Sequence, residues 1–192
     1  MKDKKIDYQG KILQIISWEG APGIRYESAV RAPGVRVLCE FVECGVKKVL
    51  LTREKRRESD GVDYRLPGGK VYNKLSEYNE AIDNNKDIPV TALQKAKEEA
   101  KEEAGVVSDN FKLIKKSPAG ASVDWDLYYF LATDCTLEEK ELSENEVNDM
   151  VGHVIVDGTE LYKLLLENKI QEGRSAEVLW TWLVNNNYLK LN

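Results

Sequence analysis

Residues 91–104 read TALQKAKEEAKEEA, and this stretch decides the reading of the fold. Ala, Leu, Gln, Lys and Glu lose least on entering a helix. A helix is therefore predicted from Thr91, a candidate N-cap behind Pro89, to Ala104, with Gly105 placed to end it. At about 100° per residue, Glu99, Glu102 and Glu103 fall within an arc of about 100°. Two carboxylates about 5.5 Å apart repel by about 3 kcal/mol at an effective dielectric of about 20, and by less when fully solvated. A partly buried trio therefore calls for a cation. Mg2+ is the natural one, because it takes oxygen ligands octahedrally and bridges protein carboxylates to substrate phosphates; Mn2+ is the alternative. Taken alone, the same run also reads as a solvated helix face laced with Lys/Glu pairs.

Working outward, the segment upstream carries the turn Leu66-Pro67-Gly68-Gly69, and before it short apolar or alternating runs read as strands: 11–17, 24–30, 35–42 and 48–52. Turn signals at Gly20-Ala21-Pro22-Gly23, Ala32-Pro33-Gly34 and Cys44-Gly45 separate them and suit antiparallel pairing. The Asn- and Asp-rich stretch 73–87 reads as a surface excursion that can include a helical turn. Further strands are predicted at 111–114, 126–132 and 151–156, an acidic loop at 136–148, and helices at 159–167 and 174–185. The last of these places Val178, Leu179, Trp182 and Leu183 on one face. Strands with three interspersed helices point to a mixed α/β or α+β sandwich.

Composition narrows the functions open to such a chain. Its 192 residues suit one domain, and 42% hydrophobic against 32% charged residues is a globular balance rather than a disordered one. With 28 basic and 33 acidic side chains the net charge is −5, and no broad basic face is present to neutralise a duplex. Nucleic acid is not an expected partner. No stretch approaches the ~20 apolar residues of a membrane span, and the charged amino terminus lacks a signal peptide's apolar run. Three cysteines, Cys39, Cys44 and Cys135, without Cys-x-x-Cys spacing favour a reduced, cytoplasmic setting over a disulfide framework or a structural zinc site. The single histidine, His153, sits in an apolar strand and reads as structural, which leaves hydrolytic chemistry to carboxylates.

Glu98-Glu99-Ala100-Lys101-Glu102-Glu103-Ala104-Gly105-Val106, with Gly69 behind Pro67-Gly68, resembles the signature of the Nudix hydrolases. The first half of that signature is displaced by an insertion at about 73–89, so the usual first Glu falls at Val90, with Glu77 and Glu80 as candidate stand-ins. The family's Arg is Glu98 here, and Lys95, one turn before Glu99, is a substitute charge. Secondary matches extend the resemblance over most of the chain and favour the ADP-ribose/ADP-sugar pyrophosphatase branch. They are Arg31-Ala32-Pro33-Gly34-Val35, Val49 to Arg56, Ser117-Pro118-Ala119-Gly120, and the run from Glu144 to Trp182.

The resemblance implies a single Nudix-type α/β/α sandwich over 1–192, with a mixed sheet and an antiparallel strand extension at about 1–32. It implies a Mg2+-dependent pyrophosphohydrolase acting on a nucleoside diphosphate linked to another moiety, ADP-ribose or an ADP-sugar first, and a homodimer. Carried over by position, Glu99, Glu102, Glu103, Glu146 and the carbonyl of Gly68 would hold metal, and Glu144 would activate water together with Glu99 and Glu103 as catalytic groups. Arg56, Trp18 and Tyr26 would contact substrate, and Trp125 either lines the site or is a plain strand aromatic. Trp180 and Trp182 read as packing residues. The competing reading, motivated by Glu98 and the displaced half-signature, is a nucleotide-binding module of the same fold without turnover.

Overall fold

The strand Gly34–Glu43 shows how the architecture is built. Val35, Val37, Cys39 and Phe41 enter one hydrophobic core, while Leu38 enters another on the opposite side. That period of two is what a sheet buried on both faces requires. A computed structural model describes residues 4–55, 61–138 and 150–189. In chain order the elements are β1 (Lys5–Gln9), β2 (Leu13–Glu19), β3 (Arg25–Arg31), β4 (Gly34–Glu43), β5 (Val46–Lys55), β6 (Val62–Arg65), α1 (Leu75–Asp83), α2 (Ile88–Ala104), β7 (Val106–Val107), β8 (Asn110–Ser117), β9 (Val123–Asp124), β10 (Leu127–Thr133), β11 (Thr136–Leu137), β12 (Met150–Asp157), α3 (Gly158–Leu166) and α4 (Gly173–Asn185).

The central sheet runs β12-β5-β4-β10-β8, with β6 paired to β5. It is mixed, because β10 lies parallel to β4 while its other pairs are antiparallel. On one face, α2 lays Ala92, Ala96, Ala100 and Ala104 against Val35, Val37, Leu50, Tyr128 and Phe130. On the other, α3 and α4 bury Leu161, Leu165, Val178, Leu179, Trp182 and Leu183 against Leu38, Val49, Leu51 and Tyr129. The result is an α/β/α sandwich. A second sheet, β1-β2-β3-β9, is built by antiparallel strands from the amino-terminal part, with β9 added in parallel. Among the described residues no helix is long and apolar enough to cross a membrane.

Several sequence expectations need correction. The stretch 73–87 is not an excursion with a turn: α1 is a full helix that buries Leu75 and Ala81, and Glu77 accepts the N–H groups of Asn73 (3.1 Å) and Lys74 (3.2 Å) at its start. Leu75, Tyr78 and Ala81 recur every three residues, a helical period masked by the Asn and Asp around them. Helix α2 starts at Ile88, ahead of Thr91, because Asp87 is the N-cap and accepts from the Val90 N–H at 3.2 Å. Pro89 is tolerated in the first turn, where an N–H has no helical partner. At the other end Gly105 adopts φ 67° and closes the helix as expected. Strands β1 and β6 carry no apolar signal in the sequence, since the first is exposed throughout and the second carries Asp63 and Arg65.

The alanine face fixes how closely α2 approaches the sheet. Ala96→Leu should therefore overpack the core and lower stability by about 1–3 kcal/mol. An unchanged urea midpoint would contradict this packing.

Candidate active site

The Pro-Gly-Gly turn lies alongside the first half of β4, where β5 has not yet begun to pair. Val37 donates to the Pro67 carbonyl at 2.8 Å and Val35 to the Gly69 carbonyl at 2.9 Å, while Val71 returns a bond to Pro33 at 2.9 Å. The carbonyl of Gly68, between them, is not used by β4. Backbone contact demands Gly68, while Gly69 leaves its space to the Glu99 side chain. A Cβ on Gly68 would overlap the Val35 carbonyl oxygen, and one on Gly69 would overlap the carboxylate of Glu99. Helix α2 can thus rest its acidic side directly on this turn.

That approach sorts the three carboxylates. Glu99 is 8% exposed, Glu103 is half-buried and accepts the Gly68 N–H at 2.7 Å, and Glu102 lies on the exposed flank. The shared arc is real, but the buried boundary passes through it. Lys95 Nζ lies 3.3 Å from both Glu99 and Glu98, so it supplies the charge that Glu98 cannot. Burial works against the Lys95 ammonium, but Glu99, Glu102 and Glu98 together outweigh it and its pKa is raised. Glu98, exposed, also accepts from Gln94 at 3.2 Å.

Glu103 is pushed from the ordinary 4.5 up to about 8, first by burial and then by the charges of Glu99 and Glu54. The Gly68 N–H and the Arg36 guanidinium act in the opposite direction without prevailing. Glu54 was not singled out in the sequence, where it sits within a charged run. On β5 it is 5% exposed and accepts from the Thr52 hydroxyl at 2.8 Å. The candidate stand-ins for the first Glu are engaged elsewhere: Glu77 caps α1, and Glu80 lies exposed on it.

A basic wall adjoins this acidic one. Arg31 and Arg174 each place a guanidinium carbon 4.3 Å from the Trp125 ring centroid. Arg174 is held there by the carbonyls of Ser117 (3.2 Å) and Trp125 (3.1 Å). Arg31 has no carboxylate partner among the described residues; burial, then Arg36 and Arg174, lower its pKa. Arg36 itself is paired with Glu172 at 2.9 Å. The two walls meet at Gly34, where a Cβ would lie 3.0 Å from the Gly69 carbonyl and 3.9 Å from the Trp125 indole nitrogen. No spacing rule links residues 31, 125 and 174, so the sequence carries no signal for this grouping.

The remaining candidates fall elsewhere. Trp18 and Tyr26 face each other across β2 and β3 and stack on one another, with centroids 5.7 Å apart. Trp18 and Trp125 also line a cleft of about 220 Å³ with Ser28, Pro118 and Asp124. Arg56, Glu144 and Glu146 lie outside the described residues.

The donor set can be tested for a metal directly. Among the described residues no three acidic, His or Cys side chains converge on one point. Glu99 is drawn to Lys95 and Glu103 to Gly68. The chemistry nonetheless fits a hard cation: the nearby groups are carboxylates, and one of them holds its proton to about 8 for want of positive charge.

No family model and no curated protein sequence matches the chain. Among solved structures it is similar to the crystal structure of an ADP compounds hydrolase, with 17% identity and a TM-score of 0.67 over 97% of this chain and 95% of that one. At that identity the likeness establishes the fold, which is the Nudix-type mixed α/β sandwich.

In the metal-free protein the raised carboxyl has a measurable consequence. Between about pH 4.5 and about 8 the unfolded chain ionises at Glu103 while the folded chain keeps the proton. The native state then binds more protons, so stability falls as pH rises through that window. Stability of the parent relative to Glu103→Gln should therefore drop from about pH 5 to about 8.5. A difference that stays flat would refute the burial of this group.

Proposed function

We propose that the chain is a Mg2+-dependent pyrophosphohydrolase that cleaves a nucleoside diphosphate linked to another moiety, with ADP-ribose or an ADP-sugar leading. The products would be a nucleoside monophosphate and a phosphorylated remainder. The observation that carries this reading is the pairing of Glu99 and Glu103 over the Pro-Gly-Gly turn, on a fold shared with an ADP compounds hydrolase.

In this reading Glu99 and Glu103 would hold the metal, with Glu102, Glu146 and the Gly68 carbonyl as the further ligands. Bound Mg2+ would neutralise phosphate charge and stabilise the charge that develops on the transferred phosphoryl group. The chain's own residues do the rest. Lys95 orients Glu99 through its ion pair. Arg31 and Arg174, fixed against Trp125, present guanidinium edges to a diphosphate lying along the turn. Glu144 takes the proton of the attacking water, and Arg56 adds a further substrate contact. Trp18 and Tyr26 offer an aromatic platform for the base. The exposed Ile6 and Tyr8 of β1 suit association with a second copy.

The alternative, a nucleotide-binding module without turnover, rests on Glu98 in place of an Arg and on the displaced half-signature. The Lys95–Glu99 ion pair weighs against it, because the missing charge is replaced from one turn away.

The test is turnover of ADP-ribose, ADP-sugars and nucleoside triphosphates with Mg2+. ADP-linked compounds should be cleaved best. Glu103→Gln should lower kcat by about a hundredfold or more, and Lys95→Met by about tenfold. Nucleotide binding without cleavage of any compound would establish the alternative instead.

A further inference from the structure

Residues 169–172, between α3 and α4, are tied to the sheet just before the chain enters the last helix. Tyr64 of β6 donates its N–H to the Lys169 carbonyl at 2.9 Å, and Gln171 donates to the Asp63 carboxylate at 3.0 Å. Glu172 then turns inward. One of its carboxylate oxygens accepts from Arg36 Nε at 2.9 Å and from the Ser175 hydroxyl at 2.6 Å. The other accepts from Arg36 Nη2 at 3.4 Å and lies 3.9 Å from Arg65 Nη2. Arg36 also donates to the Val35 carbonyl at 2.9 Å, and Ser175, wholly buried, shares a hydrogen bond of 3.2 Å with the Tyr129 hydroxyl.

Stability does not account for this network. Glu172 is the N-cap of α4, yet its carboxylate takes none of the helix's unpaired N–H groups and so forgoes a stabilising cap. An ion pair sheltered from water returns little net stability once its desolvation is counted. What the network does fix is the residue between its two anchors on α4. Arg174 stands two positions after Glu172 and one before Ser175. Its Nη1 donates to the Ser117 and Trp125 carbonyls, and its guanidinium lies on the Trp125 ring. Among the described residues Arg174 forms no ion pair, and its Nε and Nη2 carry no hydrogen bond.

We propose that Glu172 is a positioning residue for diphosphate binding: its ion pair with Arg36 and its bond from Ser175 set the start of α4, so that Arg174 is aimed before substrate arrives. This rests on the reading above, in which Arg174 meets the diphosphate. A long side chain that is already ordered loses less freedom when it binds. Arg36 belongs to β4, the strand that holds the Pro-Gly-Gly turn through Val35 and Val37. The ion pair therefore references the cationic wall to the same strand as the acidic one.

The test is calorimetric titration of the full-length chain with ADP in the presence of Mg2+. Glu172→Gln should weaken ADP binding by about tenfold, and Arg174→Ala by at least as much. Because Glu172 acts through Arg174, adding Glu172→Gln to Arg174→Ala should cause no further loss. In turnover of ADP-ribose, Glu172→Gln should raise KM by about tenfold and leave kcat within about threefold of the parent, the pattern of an interaction made equally in ground and transition states. Ser175→Ala, a smaller change to the same network, should weaken ADP by about threefold, again only where Arg174 is present, and it carries the test if Glu172→Gln folds poorly. Glu177→Gln, which breaks an ion pair with Lys115 farther along α4, should leave ADP affinity unchanged. Equal losses with and without Arg174, or unchanged affinity in both Glu172→Gln and Ser175→Ala, would overturn the inference and leave the proposed activity standing. The expected coupling without turnover of any compound would support the inference and overturn the hydrolase reading alone. A parent chain that binds no ADP would overturn both.

Discussion

The closeness with which α2 rests on the Pro67–Gly69 segment is the constraint on which the rest of the structure depends. Four alanines at the helix–sheet contact bring the helix axis near β4. Two glycines let the turn pass between β4 and the helix: Gly68 has no room for a Cβ beside the Val35 backbone, and Gly69 gives its space to the Glu99 carboxylate. The backbone N–H of Gly68 then reaches Glu103, and Glu99 covers Gly69. Bulkier residues at any of these points would lift the acidic face into solvent, where it would be an ordinary helix surface.

Holding those carboxylates out of water has an electrostatic cost, and the cost is visible in the proton retained by Glu103. A chain of net charge −5 does not spread its acids evenly. Glu54, Glu99 and Glu103 crowd one side of the turn, while Arg31 and Arg174 flank Trp125 on the other. An anionic substrate laid across Gly34 and Gly69 would meet cationic side chains at one end. At the other it would need a metal to offset the carboxylates. Under the proposed function, this polarity is what would seat a small diphosphate.

How much of this was legible in the sequence depended on whether the signal was local. Helix α2 was readable because propensity, Gly105 and the Ala/Glu alternation agree within one stretch. Strands β4, β5 and β10 were readable because their apolar runs suit a sheet covered on both faces. Helix α1 was not, since its three packing residues are diluted by polar neighbours whose own preference is for turns. Sequence spacing also put Glu99, Glu102 and Glu103 on one face, but only tertiary packing decides which edge of that face is buried. Glu54 and the Arg31–Trp125–Arg174 grouping are products of sheet order alone.

The central claim is that this packing prepares a partly buried carboxylate pair for a divalent cation. Calorimetric titration of Mg2+ at about pH 7, in two buffers of different ionisation enthalpy, tests it most directly. Binding should release a fraction of a proton approaching one, contributed by Glu103, and that release should vanish in Glu103→Gln. Binding with no buffer dependence, or proton release unchanged in Glu103→Gln, would contradict the account.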